Sequence, residues 1–196
     1  MTYTPATQDQ LLAIRVNAGI EELAQSEKFA AAEPDMVEAI VGGIGEFAAG
    51  EWAPLNRVGD LEGAKLENGV VRLPAGFAKA YEHYVEQGWN AISGPVEFGG
   101  QGLPFTLSCN VLENLGTAHM AFNLLPMLSV GSIESLEHHG SNELQEKYLP
   151  KLVSGEWSGT MNLTEPQAGS DVGALRTTAQ PITEGEHAGK YRIKGQ

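Results

Sequence analysis

The stretch Met161-Asn-Leu-Thr-Glu-Pro-Gln-Ala-Gly-Ser-Asp171 is the most informative part of this chain. It reads as a short strand that ends in a loop of small residues, and it contains no lysine, arginine or histidine. Successive backbone N–H groups at a Gly-Ser pair can converge on one anion. Gly169 and Ser170 therefore predict a backbone site for a phosphate or a cofactor edge, with Thr164 presenting its hydroxyl at the strand end. A simple turn capped by Asp171 explains the same residues almost as well.

The two carboxylates of this stretch do not predict a general acid–base pair. Glu165 and Asp171 lie six positions apart in a loop, a spacing that fixes no distance between them. The sequence predicts no apolar wall around either of them, which a general acid at neutral pH would need. We therefore interpret both as solvated or capping side chains.

Upstream of this stretch, the sequence has the pattern of a helical protein. Leu12, Val16, Ile20 and Leu23 fall on one helical face. The clearest helix begins at Pro34-Asp35, where Asp35 and Glu38 match a capping box. Its apolar stripe comprises Val37, Ile40, Val41, Ile44, Phe47 and Ala48. Further helices are predicted near residues 75–89, 104–119, 122–139 and 142–154. Ser141 would cap the last of them, whose buried face would be Leu144, Tyr148, Leu149 and Leu152.

Turn signals separate these helices. Residues 56–60 and 66–70 are predicted to be exposed connections, the second with an Asn-Gly turn. The glycines of 94–104 follow no strand and lack the dinucleotide-binding spacing, so we interpret them as turns that need positive φ. After Gly155 the pattern changes, and 157–164, 175–182 and 190–194 are predicted strands. The fold class is therefore mainly α, a helical domain followed by the start of a β domain.

Composition excludes several classes of function. The net charge of −13, from 25 acidic and 12 basic residues, argues against a nucleic-acid-binding protein. No signal peptide and no membrane span is predicted, and we expect a cytoplasmic protein. The lone Cys109 excludes an internal disulfide and, within an apolar run, is predicted to be a buried structural thiol. His138 and His139 suit a helix C-terminus, and no spacing typical of a metal site is present.

Four segments together resemble the acyl-CoA dehydrogenase family. They are Leu163-Thr-Glu-Pro-Gln-Ala-Gly-Ser-Asp-Val-Gly173, Pro95-Val-Glu-Phe-Gly-Gly-Gln-Gly-Leu103, His139-Gly-Ser-Asn-Glu-Leu-Gln-Glu-Lys-Tyr-Leu-Pro150 and Gly155-Glu-Trp-Ser-Gly159. The segment Ala53-Pro-Leu-Asn-Arg-Val-Gly-Asp-Leu-Glu-Gly63 and the leader before it resemble a branch with an extended N-terminus. The resemblance implies a helical extension over 1–34, the all-helical N-terminal domain of that fold over 35–156 and the incomplete start of its middle β domain over 157–196.

The resemblance also implies FAD as cofactor and an acyl-CoA thioester as substrate, oxidised to a trans-2-enoyl-CoA. Met161, Leu163 and Thr164 would lie along the isoalloxazine, with Thr164 near its N5 and O4 edge. Met161 departs from the aromatic residue that is frequent there. Gly169 and Ser170 would meet the pyrophosphate, and Ser170 would also border the substrate. The catalytic base would be a glutamate of a C-terminal helical bundle, to which no residue of this chain corresponds.

Three functional hypotheses follow from these residues. The first, which the resemblance implies, is a dehydrogenase that passes electrons to an electron-transfer flavoprotein and forms a homo-oligomer at full length. The second is an acyl-CoA oxidase on the same fold. The third is a helical interaction module without catalysis. On its own, the 196-residue chain is expected to be inactive and to bind FAD weakly, because half of the expected contacts are missing.

Overall fold

The computed structural model describes residues 3–195, and the chain divides into two compact units, Met1–Thr160 and Met161–Gln196. The first unit is helical, with one short hairpin. Its elements are α1 (Thr7–Val16), α2 (Ile20–Leu23), α3 (Pro34–Phe47), a π-helical turn (Ala48–Trp52), α4 (Ala53–Glu62), β1 (Lys65–Glu67), β2 (Val70–Arg72), α5 (Phe77–Glu86), α6 (Phe105–His139) and α7 (Asn142–Val153). Short 3₁₀ turns lie at Glu27–Phe29, Trp89–Ala91 and Val96–Phe98. The mainly helical fold class is confirmed.

Helix α3 begins where the sequence predicts but is capped differently. Every member of its predicted apolar stripe is buried. The predicted capping box is wrong, because Glu33 occupies the N-cap position and makes no side-chain cap bond. Pro34 takes the first helical position, which suits a residue with fixed φ and no N–H. Asp35 thus falls within the first turn, and Glu38 pairs with Arg15 of α1 instead.

The N-terminal segment buries a different face from the predicted one. Leu11 and Ile14 are buried, whereas Leu12 and Val16 are 62% and 70% exposed. The prediction assumed one continuous helix, but the chain turns at Gly19, whose φ is +59°. Because α1 ends before that turn, Ile20 enters the core from a separate helix. Its spacing from Val16 therefore does not predict that the two residues lie on the same helical face.

A buried polar network ties the N-terminal segment to α6. The hydroxyl of Tyr3 donates to Oδ1 of Asn114 at 2.7 Å. Asn114 in turn donates to Oε1 of Gln10 at 3.2 Å and to the carbonyl of Asn110 at 2.9 Å. Gln10 donates to Glu113 at 3.2 Å. The network satisfies Asn114, which has no exposed surface, and fixes how the N-terminal segment sits on α6.

Residues 56–60 belong to α4, so their prediction as an exposed connection is wrong. Asn56 and Gly59 resemble turn residues, but α4 continues directly from the π-helical turn, and tertiary packing overrides their weak helix propensity. Gly59 packs closely, since a Cβ there would lie 2.9 Å from Cζ of Phe77. The π-helical turn also places Trp52 fully in the core, with its ring stacked on that of Phe122 at 4.1 Å.

Helix α6 is bent at His119, which separates the two helices that the sequence predicts. His119 has φ −158° and ψ 85°, an extended conformation inside an otherwise helical run. Its ring is 2% exposed and lies edge-on to Phe77, with the ring centres 5.3 Å apart.

The predicted burial of Cys109 is wrong. Its buried neighbours Leu107 and Val111 are four residues apart, which places Cys109 on the opposite, exposed side of the helix.

Helix α7 confirms its predicted cap and half of its predicted face. Oγ of Ser141 accepts the backbone N–H of Leu144 at 3.4 Å. Leu149 and Leu152 are buried, but Leu144 is 42% exposed and Tyr148 is only half-buried. Before α6, Gly99 and Gly102 have positive φ, as predicted for turns, whereas Gly94 and Gly100 do not, so the prediction is wrong for those two. Gly100 admits no side chain, because a Cβ there would lie 2.0 Å from the carbonyl oxygen of Gly94.

The Asn-Gly signal marks a tight hairpin. Asn68 and Gly69 have φ of +51° and +79°, the pattern of the two-residue turn that matches strand twist. Strands β1 and β2 pair Lys65 with Arg72 and Leu66 with Val71. All of their residues are exposed.

The second unit contains the predicted strand pair. Strand β3 (Thr178–Pro181) pairs antiparallel with β4 (Tyr191–Lys194), and both lie inside their predicted ranges. Residues 157–164, however, form no strand in the described chain. A β-rich composition favours an extended chain, but a strand also needs a neighbouring strand to complete its ladder.

Candidate functional site

The 161–171 stretch folds around a tight turn, Glu165-Pro166-Gln167-Ala168. The backbone N–H of Ala168 donates to the carbonyl of Glu165, and that of Glu165 donates to the carbonyl of Ala168, both at 3.0 Å. Pro166 occupies the second turn position, where its fixed φ is favourable. Ala168 and Glu165 are the buried members of this turn, with 1% and 9% of their surface exposed. A carboxylate thus lies inside the loop.

The carboxylate of Glu165 accepts hydrogen bonds from the far end of the loop. Its Oε2 accepts the backbone N–H of Arg176 at 2.9 Å, and its Oε1 accepts the backbone N–H of Thr177 at 2.8 Å. The side-chain amide of Gln167 donates to Oε2 at 2.5 Å and to the carbonyl of Ala174 at 3.3 Å. The two ends of the loop are therefore joined through one side chain, as in compact surface loops whose ends lie close together.

These contacts determine the protonation state of Glu165. Hydrogen bonds from the Thr177 side chain and from the backbone N–H groups of Arg176 and Thr177 lower the pKa of Glu165 to about 2. A carboxylate that accepts several N–H bonds is stabilised in its charged form. It is a poor general base at neutral pH, because its oxygens are already engaged. The interpretation of Glu165 as a non-catalytic residue agrees with this geometry.

Asp171 caps the turn that follows. Its Oδ1 accepts the backbone N–H of Gly173 at 3.0 Å, at the start of the 3₁₀ turn Val172–Ala174. The predicted capping role of Asp171 is confirmed. Both carboxylates of the stretch therefore stabilise the loop backbone, and each does so within residues 161–195.

The predicted site residues lie on the outer side of this loop. Met161 is 66% exposed and Leu163 is 45% exposed, and Thr164 is also exposed. These three precede the turn, and the exposed Gly169 and Ser170 follow it. Among residues 3–195, no hydrogen bond engages the backbone N–H of Gly169 or Ser170. A Cβ added at Gly169 would meet nothing within 4 Å. The loop thus offers open donors beside an unobstructed backbone.

The roles of these five residues in binding remain predictions. What sequence reasoning missed is the part of Glu165 and Gln167 in closing the loop. The donors to Glu165 lie 11 and 12 residues further along the chain, so no local spacing signals the contact. A carboxylate flanked by a threonine and a proline looks the same whether it is solvated or buried.

Other candidate chemistry is sparse in the described residues. Within 3–195, no group of three or more His, Cys, Asp and Glu side chains could hold a metal ion. Across the same residues, no helix has the length and apolar character to cross a bilayer. His138 lies in the last turn of α6, as predicted, 3.4 Å from the carboxylate of Glu134.

A comparison with family models identifies the larger part of the chain. The model described as "Acyl-CoA dehydrogenase, N-terminal domain" matches residues 35–156. This chain belongs to the acyl-CoA dehydrogenase family. Among curated proteins, it is similar to 3-methylmercaptopropionyl-CoA dehydrogenase of Ruegeria pomeroyi, with 42% identity over 188 residues. That alignment covers 96% of this chain and 32% of the relative.

Solved structures of acyl-CoA dehydrogenases share the fold. An acyl-CoA dehydrogenase from Bacillus anthracis, solved in complex with FAD, has a TM-score of 0.65 and 27% identity. The match covers 85% of this chain and 26% of that one. A glutaryl-CoA dehydrogenase in complex with glutaryl-CoA has a TM-score of 0.65 and 25% identity over 83% of this chain and 38% of that one. The chain therefore spans only about a third of the length of its relatives.

Proposed function

We propose that the protein of natural length is an FAD-dependent acyl-CoA dehydrogenase that converts an acyl-CoA thioester to a trans-2-enoyl-CoA. Family membership supports the reaction class. The proposal is assigned to particular residues because one side of the 161–171 loop is open. That side combines the exposed hydroxyls of Thr164 and Ser170 with the open N–H groups of Gly169 and Ser170.

The loop fits part of a flavin dinucleotide by the chemistry of its donors. A pyrophosphate is anionic and needs donors that come close to it, and backbone N–H groups beside a glycine meet that need. The 161–171 stretch contains no cation, so its local donors are backbone N–H groups and neutral side chains such as the hydroxyls of Thr164 and Ser170. Met161 and Leu163, which are exposed in this chain, offer apolar surface to a ring system. We assign Thr164 to the polar edge of that ring, and Gly169 and Ser170 to the pyrophosphate.

When held by this loop, FAD would supply the acceptor for a hydride that leaves the β-carbon of the thioester. The α-proton must leave to a positioned base, and a carboxylate is one of the side chains that can take that role. Glu165 and Asp171 are unsuited, since both are engaged with backbone N–H groups. We therefore propose that the base lies on a C-terminal helical bundle, as the family resemblance implies. An electron-transfer flavoprotein is the proposed acceptor of the electrons, and a homo-oligomer the proposed assembly.

The test uses purified protein of natural length. It should be yellow, and its flavin absorbance should bleach under anaerobic conditions when a suitable acyl-CoA is added. Butyryl-CoA and 3-methylmercaptopropionyl-CoA are informative probes, because proteins similar to this chain are named for them. A colourless protein that takes up no added FAD would contradict the proposal and favour the non-catalytic helical module. Peroxide release without an electron-transfer flavoprotein would favour the oxidase.

A further inference from the structure

The carboxylate of Glu165 does more than occupy the interior of a loop. Its two oxygens accept N–H groups from successive residues, Arg176 and Thr177, at 2.9 and 2.8 Å. A carboxylate can accept two such bonds at once, whereas a neutral amide has one oxygen and would turn an N–H donor towards the second N–H. The geometry therefore requires an ionised acid at this position.

The segment that these bonds close is the one that carries the proposed flavin contacts. Thr164 immediately precedes Glu165, and Gly169 and Ser170 lie between Glu165 and its backbone partners. Inside the same segment, Asp171 caps Gly173, and Gln167 bridges Glu165 to the carbonyl of Ala174. The bond from Gln167 to Glu165 joins two side chains, and the others end on backbone groups. None of them uses the open N–H groups of Gly169 and Ser170.

We infer that Glu165 is the positioning residue of the flavin site, holding the Gly169-Ser170 backbone in its binding conformation before the cofactor arrives. The inference rests on the proposed function, since it assigns this loop to FAD. A loop that is already ordered loses little conformational entropy on binding, so its affinity exceeds that of a mobile loop with the same donors. Glu165 acts through the loop backbone and does not itself touch the cofactor.

The experiment measures FAD affinity in apoprotein of natural length by titration of flavin fluorescence. Glu165→Gln keeps the size of the side chain but replaces one acceptor with a donor. We expect the Kd for FAD to rise about tenfold or more, in line with the cost of an unsatisfied buried donor. Glu186→Gln is the matched control, because it removes the same charge from an exposed position in the loop before β4. The control should leave the Kd unchanged.

The pH dependence of the Kd for FAD distinguishes a carboxylate that stays charged from one that changes its protonation state. Because the pKa of Glu165 is about 2, the wild-type carboxylate stays charged at every pH between 5 and 8. The ratio of the two Kd values should therefore be constant over that range. Equal Kd values for the wild type and Glu165→Gln would overturn the inference while leaving the proposed function intact. A wild-type protein that binds no FAD would instead refute the proposed function.

Amide exchange in the unmodified apoprotein provides a test that no folding defect can obscure. If Glu165 holds the loop, the N–H groups of Arg176 and Thr177 should exchange at least about tenfold more slowly than the open N–H groups of Gly169 and Ser170. Exchange at the rate of an unprotected loop for Arg176 and Thr177 would count against the inference, whatever the variants do.

Discussion

Nδ1 of His119 accepts the backbone N–H of Phe122 at a distance of 3.4 Å. At an N-cap, a residue with non-helical φ and ψ accepts, through its side chain, the backbone N–H of the third residue of the helix that follows. His119, with its extended φ and ψ, and Phe122 have this geometry. His119 therefore does not merely interrupt α6. It ends one helix and begins the next, which is why the two segments could be predicted separately. The bond also requires that Nδ1 carry no proton.

This cap predicts a dependence of stability on pH. Burial lowers the pKa of His119 below the ordinary value of 6.5, despite opposing contributions from its own backbone and from that of Leu55. The folded state thus binds fewer protons than the unfolded state. The contribution of the neutral ring is fully present above pH 6.5 and is lost progressively as the pH falls below it.

Urea unfolding at pH 8 and pH 5.5 would measure this effect, with His119→Asn as the comparison. Asparagine also caps helices but does not titrate, so the part of the pH dependence due to His119 should disappear. His119→Ala loses the cap as well and should cost about 1 kcal/mol or more at pH 8 and less at pH 5.5. If the free energy of unfolding changed by the same amount between pH 8 and pH 5.5 in the wild type and in His119→Asn, the pH dependence would have to come from other groups.

A pair of glycine substitutions tests the packing of α4 against Phe77 of α5 and His119 of α6. Gly59→Ala places a Cβ 2.9 Å from Phe77 and 3.2 Å from Nε2 of His119, so a packed ring must move. Gly42→Ala in α3 meets nothing within 4 Å. Gly42→Ala should stabilise the protein by about 0.5–1 kcal/mol through helix propensity, whereas Gly59→Ala should destabilise it by about 1–3 kcal/mol. Stabilisation by both changes would show that the Phe77 and His119 rings yield freely.

Two leucines of α7 form another matched pair. Leu149 has no exposed surface, and Leu144 is 42% exposed. Leu149→Ala should lower the free energy of unfolding by about 2–5 kcal/mol, because it leaves a cavity that the helices cannot fill. Leu144→Ala should change it by less than about 1 kcal/mol. If a denaturant titration showed that the two variants lose similar amounts of unfolding free energy, the sequence-based interpretation of Leu144 as a core residue would be restored.

The open hydroxyls of the loop predict graded effects on FAD binding. Thr164→Val keeps the shape of the side chain and removes its donor, and should raise the Kd about fivefold, as expected for about 1 kcal/mol. Ser170→Ala should have an effect of similar size. Thr183→Val, in the exposed loop before β4, is the control and should bind FAD as the wild type does. Unaltered binding by both site variants would remove Thr164 and Ser170 from the proposed site.

The helices were predictable to the extent that their signals were local. The stripe of α3, the Ser141 cap and the Asn68-Gly69 turn each depend on neighbours within a few residues, and each appears in the structure. The face of α1 was not predictable, because a single positive φ at Gly19 separates residues that look periodic. The exposure of Leu144 likewise depends on its position within α7, and the apolar pattern alone did not predict it.

The site shows the same division. The capping role of Asp171 is a contact over two residues, and it was predicted correctly. The contacts of Glu165 reach Arg176 and Thr177, and no pattern in the chain encodes them. His119 carries a similar lesson, since its burial depends on Phe77, far away in sequence. Long-range partners are what a single sequence leaves undetermined.

The hairpin of β1 and β2 has a consequence for how the protein behaves in concentrated solution. Its strands are exposed, and open strand edges are templates for pairing with another molecule. Lys65 and Arg72 face each other across the ladder, and the protein carries a net charge of −13, so two molecules repel each other in dilute buffer. Salt screens that repulsion but leaves Leu66 and Val71 apolar. Light scattering should therefore detect more self-association as ionic strength rises, and dilute buffers should keep the protein dispersed.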